Sequence, residues 1–460
     1  MNKCELHSVG KHIEAKYRRR TAESQKHIEA AQKWLPGGDT RRVSYYFPYP
    51  TFMHKGEGCY LFDCDGNKYL DLVNNYTSLI HGHAHPRVVE AATVAIKNGM
   101  VLGAPVELQY RHAEHLCSRI PSLEVVRYCN CGTEATMFAM RTARAYKGRH
   151  TILKMDGGYH GGHEFAQVNI YADTDAESFP RVCADPWIPP GVLNDILVIP
   201  FNDLDAAEDV LKKNNERIAA VMMEPCLGAA GGINPKPGYL QGMRELTRRY
   251  DVLLIYDEVM SFRYHTGGIQ AAEGVQPDLT ALGKIIGGGI PVGAFGGRRE
   301  IMALYDPTHP RPIFHSGTFS GNSIAMAAGL ATMETYDESA IERLNRLGER
   351  LARGFKGALN GLGIKAQVLG RGSTVNVHWL TETPDNAKVT MQGYLSTSEL
   401  LRLFHLEMMN RGIYTAPRAL YVLSTPMADK EIETAISAFK STLSVLKPYI
   451  ADQFPRLLTD

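Results

Sequence analysis

The 460-residue chain lacks any apolar run of the roughly 18 residues that a membrane-spanning helix needs. Its opening stretch, MNKCELHSVGKHIEAKYRRR, has no apolar core of the kind that marks a secretory signal. Neither sign of charge dominates: 50 Lys and Arg stand against 49 Asp and Glu, a formal net charge of +1. Nothing in that balance draws the chain to nucleic acid or to an anionic membrane. Eight cysteines, at positions 4, 59, 64, 117, 129, 131, 183 and 226, are scattered without the dense spacing of a secreted disulfide scaffold. Internal repeats and low-complexity tracts are missing as well. Together these absences lead us to expect a soluble, cytoplasmic protein of a reducing compartment, with neither nucleic acid nor membrane as a partner.

What is present is ordinary for a globular protein, 44% hydrophobic and 22% charged residues, in a chain long enough for two or three domains. The first 35 residues, rich in Glu, Lys, Arg and Ala, read as a helical lead-in that stops at Pro36-Gly37-Gly38. In GCYLFDCDGNKYLDL, Asp65-Gly66 supplies a hairpin turn between apolar runs. From about residue 88, helical patterns alternate with short apolar runs: VVRYCN, TILKMD, DILVIP, IAAVMMEP, VLLIYDEV and DLTALG. Such runs predict strands buried on both faces of a mainly parallel sheet, an α/β doubly wound domain. After about residue 330 an amphipathic helix, ESAIERLNRLGERLARGFKGALNGLG, opens a smaller α+β region. The expected division is therefore 1–87 for the N-terminal helix and a small-domain segment, 88–330 for the large domain, and 331–460 for the C-terminal small domain.

One stretch, LTALGKIIGGGIPVGAFGG at 279–297, sets Lys284 between an apolar run and a chain of glycines. It is not a P-loop, because the lysine precedes the glycines and Ile285 follows it, and it misses the dinucleotide fingerprint because Val292 stands where the third glycine would fall. In an open parallel sheet, ligands bind beyond the carboxyl ends of the strands, so the residues ending the apolar runs are the candidates. VVRYCN runs into Cys131-Gly132-Thr133-Glu134 at a helix start, which is either a plain N-cap by Thr133 or an anion site. TILKMD runs into GGYHGG, where glycines clear space for Tyr159 to lie against a planar ring or to close a tight loop. VLLIYDEV ends in Asp257-Glu258, and Asp257 reads as a Mg²⁺ ligand, a helix cap or the partner of a protonated ring nitrogen. Lys284, desolvated among apolar groups and glycines, is either a loop charge or an amine able to attack a carbonyl.

Pyridoxal phosphate unites the set. Its phosphate needs an anion nest, its ring a stacking face, its pyridinium nitrogen an acid, and its aldehyde an amine. PGGDTR, GHAHPRV, CGTEATM, GGYHG, EP, DEVM, the lysine stretch itself and HSGTFSGN then occur in the order found in a known family. The chain resembles the class III aminotransferases of the fold-type I pyridoxal-phosphate enzymes. It is similar above all to β-phenylalanine (β-amino acid) aminotransferases and to glutamate-1-semialdehyde aminomutases.

The resemblance implies that Lys284 condenses with the cofactor aldehyde and then shuttles the proton, and that Asp257 pairs with the pyridine nitrogen. It implies that Val259 packs on the ring face opposite Tyr159, that Gly132 and Thr133 hold the phosphate, and that His160 and Glu224 line the site. It also implies a homodimer with shared active sites, Thr318 reaching the phosphate from the second subunit. The glycines after Lys284 would let backbone pass close to the cofactor and to that subunit. Cys131 stands where the family has serine, and a thiol is a weak donor, so one phosphate contact is weakened. Three alternating histidines, His81, His83 and His85, have a spacing open to metal ligation, but the family writes this turn without metal, and none is expected.

Transamination needs a carboxylate held in at least one half-reaction, a task suited to arginine's planar fork. Arg41 in GGDTRRV, with Arg42 as its near alternative, and Arg418 in YTAPRAL match the two substrate-binding arginines of the β-phenylalanine aminotransferases. Tyr45, Tyr46, Phe47 and Tyr49 beside Arg41 read as the wall of an apolar side-chain pocket or as core. The expected reaction moves an amino group from a β-amino acid or related amine to a 2-oxo acid such as 2-oxoglutarate or pyruvate. The aminomutase is the alternative. Against it, residues 163–192 replace the small Gly/Ser-rich lid with which aminomutases retain their intermediate. A non-catalytic scaffold is the third reading, opposed by the intact lysine, aspartate and phosphate site.

Overall fold

A computed structural model describes residues 3–172, 174, 179–180, 182 and 185–459. Cys183 and part of the 163–192 stretch lie outside the described residues. In chain order the strands are β1 (Met53–Glu57), β2 (Tyr60–Asp63), β3 (Lys68–Asp71), β4 (Val125–Cys129), β5 (Thr151–Met155), β6 (Ile196–Ile199), β7 (Ile218–Met223), β8 (Leu253–Asp257), β9 (Leu279–Gly283), β10 (Gly293–Gly297), β11 (Gln367–Arg371), β12 (Thr374–His378), β13 (Ile413–Tyr414) and β14 (Leu420–Val422).

Seven of them form the central sheet, ordered β4-β10-β9-β8-β7-β5-β6. Every residue of β5, β7, β8 and β9 is buried, as continuous apolar runs require when helices cover both faces. Ala220 and Met222 join the apolar cluster that includes the helix Gly132–Lys147, while Val221 and Met223 join the cluster of the helices Leu204–Asn214 and Tyr239–Arg249. All six apolar runs are strands, β4 to β9. The strand that periodicity missed is β10, GAFGG, which runs antiparallel between β4 and β9.

β10 also corrects the purpose assigned to the later glycines. A side chain at Gly293 would come within 2.1 Å of the Cys131 carbonyl oxygen, and one at Gly296 within 2.3 Å of the Val125 carbonyl oxygen. These glycines admit a strand into a crowded sheet rather than bringing backbone to a ligand.

The chain ends cooperate outside this sheet. β3 pairs in parallel with β13, so residues 68–71 and 413–414 share one four-stranded sheet, β1-β2-β3-β13. A three-stranded sheet, β11-β12-β14, packs with the amphipathic helix Glu338–Gly361, whose N-cap Asp337 accepts from the Ala340 N–H at 2.8 Å. Among the described residues no helix is long and apolar enough to cross a membrane, and six cysteines are free thiols.

Candidate active site

Strand order puts the candidates in a row. β9, β8, β7 and β5 are neighbours, and their carboxyl ends deliver Lys284, Asp257, Glu224 and the Gly157–Gly162 loop. Gly293, at the start of β10, pairs with both Gly283 and Cys129, so the end of β4 and the helix that follows it are level with Lys284.

Lys284 holds a left-handed backbone, φ 53°, at a position that is not glycine, and such strain concentrates where a side chain must be aimed. Burial lowers its pKa to about 8, Asp257 and Glu224 pulling the other way and Arg418 and Arg263 adding to the fall. Among the described residues its amine makes no hydrogen bond. It is an amine part of which is neutral at physiological pH and free to react.

Asp257 is 5% exposed and accepts from the Val259 N–H at 3.0 Å, while its other oxygen is 2.9 Å from His160 Nδ1. His160 is 1% exposed and braces Asp257 through that contact. The reason is local: Thr136 donates its hydroxyl to the His160 carbonyl and draws the loop against the helix Gly132–Lys147. Glu224, also buried, accepts from the N–H groups of Tyr159 and Gly228, each at 3.0 Å, and burial with Asp257 nearby raises its pKa to about 7. Tyr159 keeps half of its surface open, leaving its ring available for stacking.

The helix start has Cys131, not Thr133, as its N-cap, and no side chain caps it. Its first N–H groups therefore stay available to an anion at the positive end of the helix. The Thr133 hydroxyl accepts from the Gly162 N–H at 3.1 Å, and Gly161 packs so closely that a side chain there would meet Thr133 at 2.6 Å. A methyl group on Gly132 would come within 3.2 Å of Val259, which also lies against Gly283. Residues 132–133, 161–162 and 259 thus pack together beside Gly283, which precedes Lys284, and beside Asp257. These donors and this amine fit pyridoxal phosphate.

Arg41 and Arg418 converge on a residue that the motifs did not single out. Their guanidinium carbons lie 5.3 and 6.0 Å from the ring centre of Tyr76. Tyr76 belongs to a turn in which Asn74, Asn75, Tyr76 and Thr77 all have positive φ, 47, 47, 54 and 79°. Left-handed backbone costs roughly 1–2 kcal/mol for each L-residue, so neighbours must hold the turn. Asp71 accepts from the N–H groups of Val73 and Asn74, Arg41 donates to the Asn75 side chain, and the Tyr76 hydroxyl donates to the Val43 carbonyl. The only hint in the sequence was the pair Asn74-Asn75, since asparagine tolerates this conformation best.

Other expectations separate. Tyr46 and Tyr49 are core: both pack on Tyr17, which hydrogen-bonds to the Tyr46 hydroxyl and the Tyr49 carbonyl, while Tyr45 is half-buried and Phe47 exposed, the two in edge contact. Arg42 is exposed, and it is Arg41 that turns toward Tyr76. His81 spends its ring nitrogens on Thr425 and the Thr332 carbonyl, and His83 bonds to Asp71. Thr318 is exposed and, among the described residues, makes no hydrogen bond within its own chain.

The sequence profile of Aminotransferase class-III matches residues 44–443. A glutamate-1-semialdehyde 2,1-aminomutase 2 of Brevibacillus brevis is 39% identical over 89% of this chain and 95% of its own length. The crystal structure of an omega-transaminase from Sphaerobacter thermophilus superposes with a TM-score of 0.88 at 39% identity, covering 92% of this chain and 98% of that one. A β-phenylalanine aminotransferase from Variovorax paradoxus gives 0.87 at 32% identity, over 96% and 98%.

Proposed function

The chain belongs to the class-III aminotransferases, pyridoxal-phosphate-dependent transaminases, and we propose that it moves an amino group from a β-amino acid of the β-phenylalanine type, or a related amine, to a 2-oxo acid. The observation that carries this substrate class is the pair Arg41 and Arg418, far apart in the chain yet brought to one aromatic ring. Two forks suit a donor carboxylate displaced by one carbon from the reacting amine and a dicarboxylate acceptor such as 2-oxoglutarate.

When bound, pyridoxal phosphate supplies an aldehyde that condenses with amines and a ring that takes up electrons released by C–H cleavage. The rest is the chain's work. Lys284 Nζ would bind that aldehyde and move the proton from the substrate carbon that bears the amino group to the former aldehyde carbon. Asp257, which accepts from the Val259 N–H and lies 2.9 Å from His160 Nδ1, would face the ring nitrogen. Tyr159 and Val259 would sandwich the ring, Glu224 fixes the Tyr159 backbone, and Gly132 and Thr133 would hold the phosphate. Phe314 and Phe319, 84% and 59% exposed, flank Thr318. We take this apolar segment as a homodimer contact that carries Thr318 to a second copy's phosphate site.

Supplying β-phenylalanine with 2-oxoglutarate should yield glutamate. If none forms and glutamate-1-semialdehyde is converted to 5-aminolevulinate, the aminomutase reading, favoured by the Brevibacillus relative, replaces ours. Arg418→Ala should raise KM for the donor by roughly 10- to 100-fold, the value of a charged hydrogen-bond pair, with kcat changed far less; steady-state kinetics across donor concentrations checks this. Cys131→Ser, which puts a stronger donor at the phosphate, should tighten cofactor binding several-fold, about 1 kcal/mol, by equilibrium titration of the apoenzyme. The rate at which apoenzyme captures cofactor should rise with pH through about 8, where Lys284 loses its proton, and stopped-flow absorbance would record the midpoint.

A further inference from the structure

Lys154 lies inside β5, fully buried between Val198 of β6 and Met222 of β7. A lysine within a strand buried on both faces is costly unless its charge is used. Its Nζ donates to three backbone carbonyls, of Gly158 at 3.0 Å, Ala166 at 3.1 Å and Val168 at 2.6 Å. That is one acceptor for each N–H of an ammonium, whereas a neutral amine has two to give. The three carbonyls span the loop that carries Tyr159 and His160.

Gly158, gripped by Lys154, also lies against the histidine: a methyl there would be 3.1 Å from His160 Nε2. That nitrogen is buried and, among the described residues, has no hydrogen-bond partner, while Nδ1 faces Asp257. The titratable groups around Lys154 are Asp156 at the end of its own strand, Glu224 at the end of β7, and His160 and His163 on the loop, with Asp257 beyond His160. Burial lowers the Lys154 pKa to about 7 against the pull of Asp156 and Glu224, and the three carbonyl acceptors favour the ammonium, which carries the full charge below that pH. Burial and this neighbouring cation both lower the pKa of His160 and so oppose its protonation.

We propose that Lys154 is a positioning residue: its ammonium pins the Gly158–Val168 loop and, as a buried positive charge behind His160, keeps that ring neutral with its proton on Nδ1, directed at the Asp257 side chain that faces the cofactor. The inference rests on the reading of Asp257 as the partner of the cofactor ring. It extends that reading one layer deeper, to a residue that touches neither cofactor nor substrate.

The test is the pH midpoint of the holoenzyme's visible absorbance. Lys154→Met removes a positive charge, so the protonated form of the cofactor linkage persists to higher pH, and the midpoint should rise by about half a unit to one unit. Lys154→Gln, which retains N–H donors, serves if the Met variant does not fold, with the same rise expected. Lys154→Arg keeps the charge and should restore the wild-type midpoint. Met or Gln variants titrating with the wild type, or an Arg variant displaced as far as they are, would overturn the proposal. Nitrogen NMR of ring-labelled histidine in wild-type holoenzyme adds a readout free of any substitution: His160 should show Nδ1 protonated and Nε2 bare at neutral pH, and a doubly protonated ring would refute the assignment. If Asp257→Asn leaves the absorbance unchanged, the underlying reading fails; if only the Lys154 variants do, this inference fails alone.

Discussion

Lys284→Ala should abolish transamination, by at least about 10⁴-fold, while leaving a folded protein. The loss is large because one amine does two tasks, binding the aldehyde and carrying the proton, and no other lysine ends a neighbouring strand of the row. The fold should tolerate the change because the amine makes no hydrogen bond among the described residues and its desolvation is unfavourable to the folded state. The left-handed φ of 53° at this position remains for alanine as for lysine. We therefore expect an apoenzyme thermal midpoint no lower than that of the wild type. The linkage has a definite sign: the Lys284 pKa is about 8 folded against 10.5 for the free side chain, so the unfolded chain binds the extra proton between these values. Wild-type stability should thus rise relative to Lys284→Ala as pH climbs from about 8 to 10.5. Measuring turnover beside thermal melts over that range checks both halves; substantial turnover in the alanine variant would remove Lys284 from the mechanism.

The second large effect is expected from Asp257→Asn, a loss in kcat of roughly 10³-fold, the scale for removing a preorganised charge from a dry site. The amide keeps the size of the carboxylate and can still accept from His160, so the structure should persist while the charge opposite the ring nitrogen is gone. A separate readout follows from the neighbouring acid. Asp257 is one of the causes that hold Glu224 up near pH 7, so Glu224 should titrate lower in the Asn variant. Infrared or NMR titration of the carboxyl groups would show it, and an unmoved Glu224 together with an unchanged kcat would contradict the shared electrostatics.

How much of this was legible before the structure varies by residue. Lys284, Asp257 and the Gly132-Thr133 helix start were readable because each closes a run of apolar residues, and the pattern of a both-faces-buried strand is strong; Glu224 came only with the family resemblance. β10 was not, because glycines demanded by crowding between β4 and β9 erase the apolar signature. Thr133 was misread as a possible cap because a cap depends on φ and ψ, which at this helix select Cys131. Lys154 was visible as a charge inside TILKMD, yet its three carbonyl partners come from a loop whose path no periodicity encodes.

By itself the sequence determined six of the seven central strands, which residues end them, and through its ordered motifs the family and cofactor; the sheet order that sets those ends in a row came from the tertiary structure. What the sequence determined follows from local pattern, where spacing alone dictates which residues end a strand or start a helix. Only the tertiary structure decided that Tyr46 and Tyr49 are core, that His160 stands behind Asp257, and that Arg41 and Arg418 meet at Tyr76 on a left-handed turn. Those outcomes depend on contacts between segments from tens to hundreds of residues apart. There the free energy of packing, not local preference, chooses the conformation.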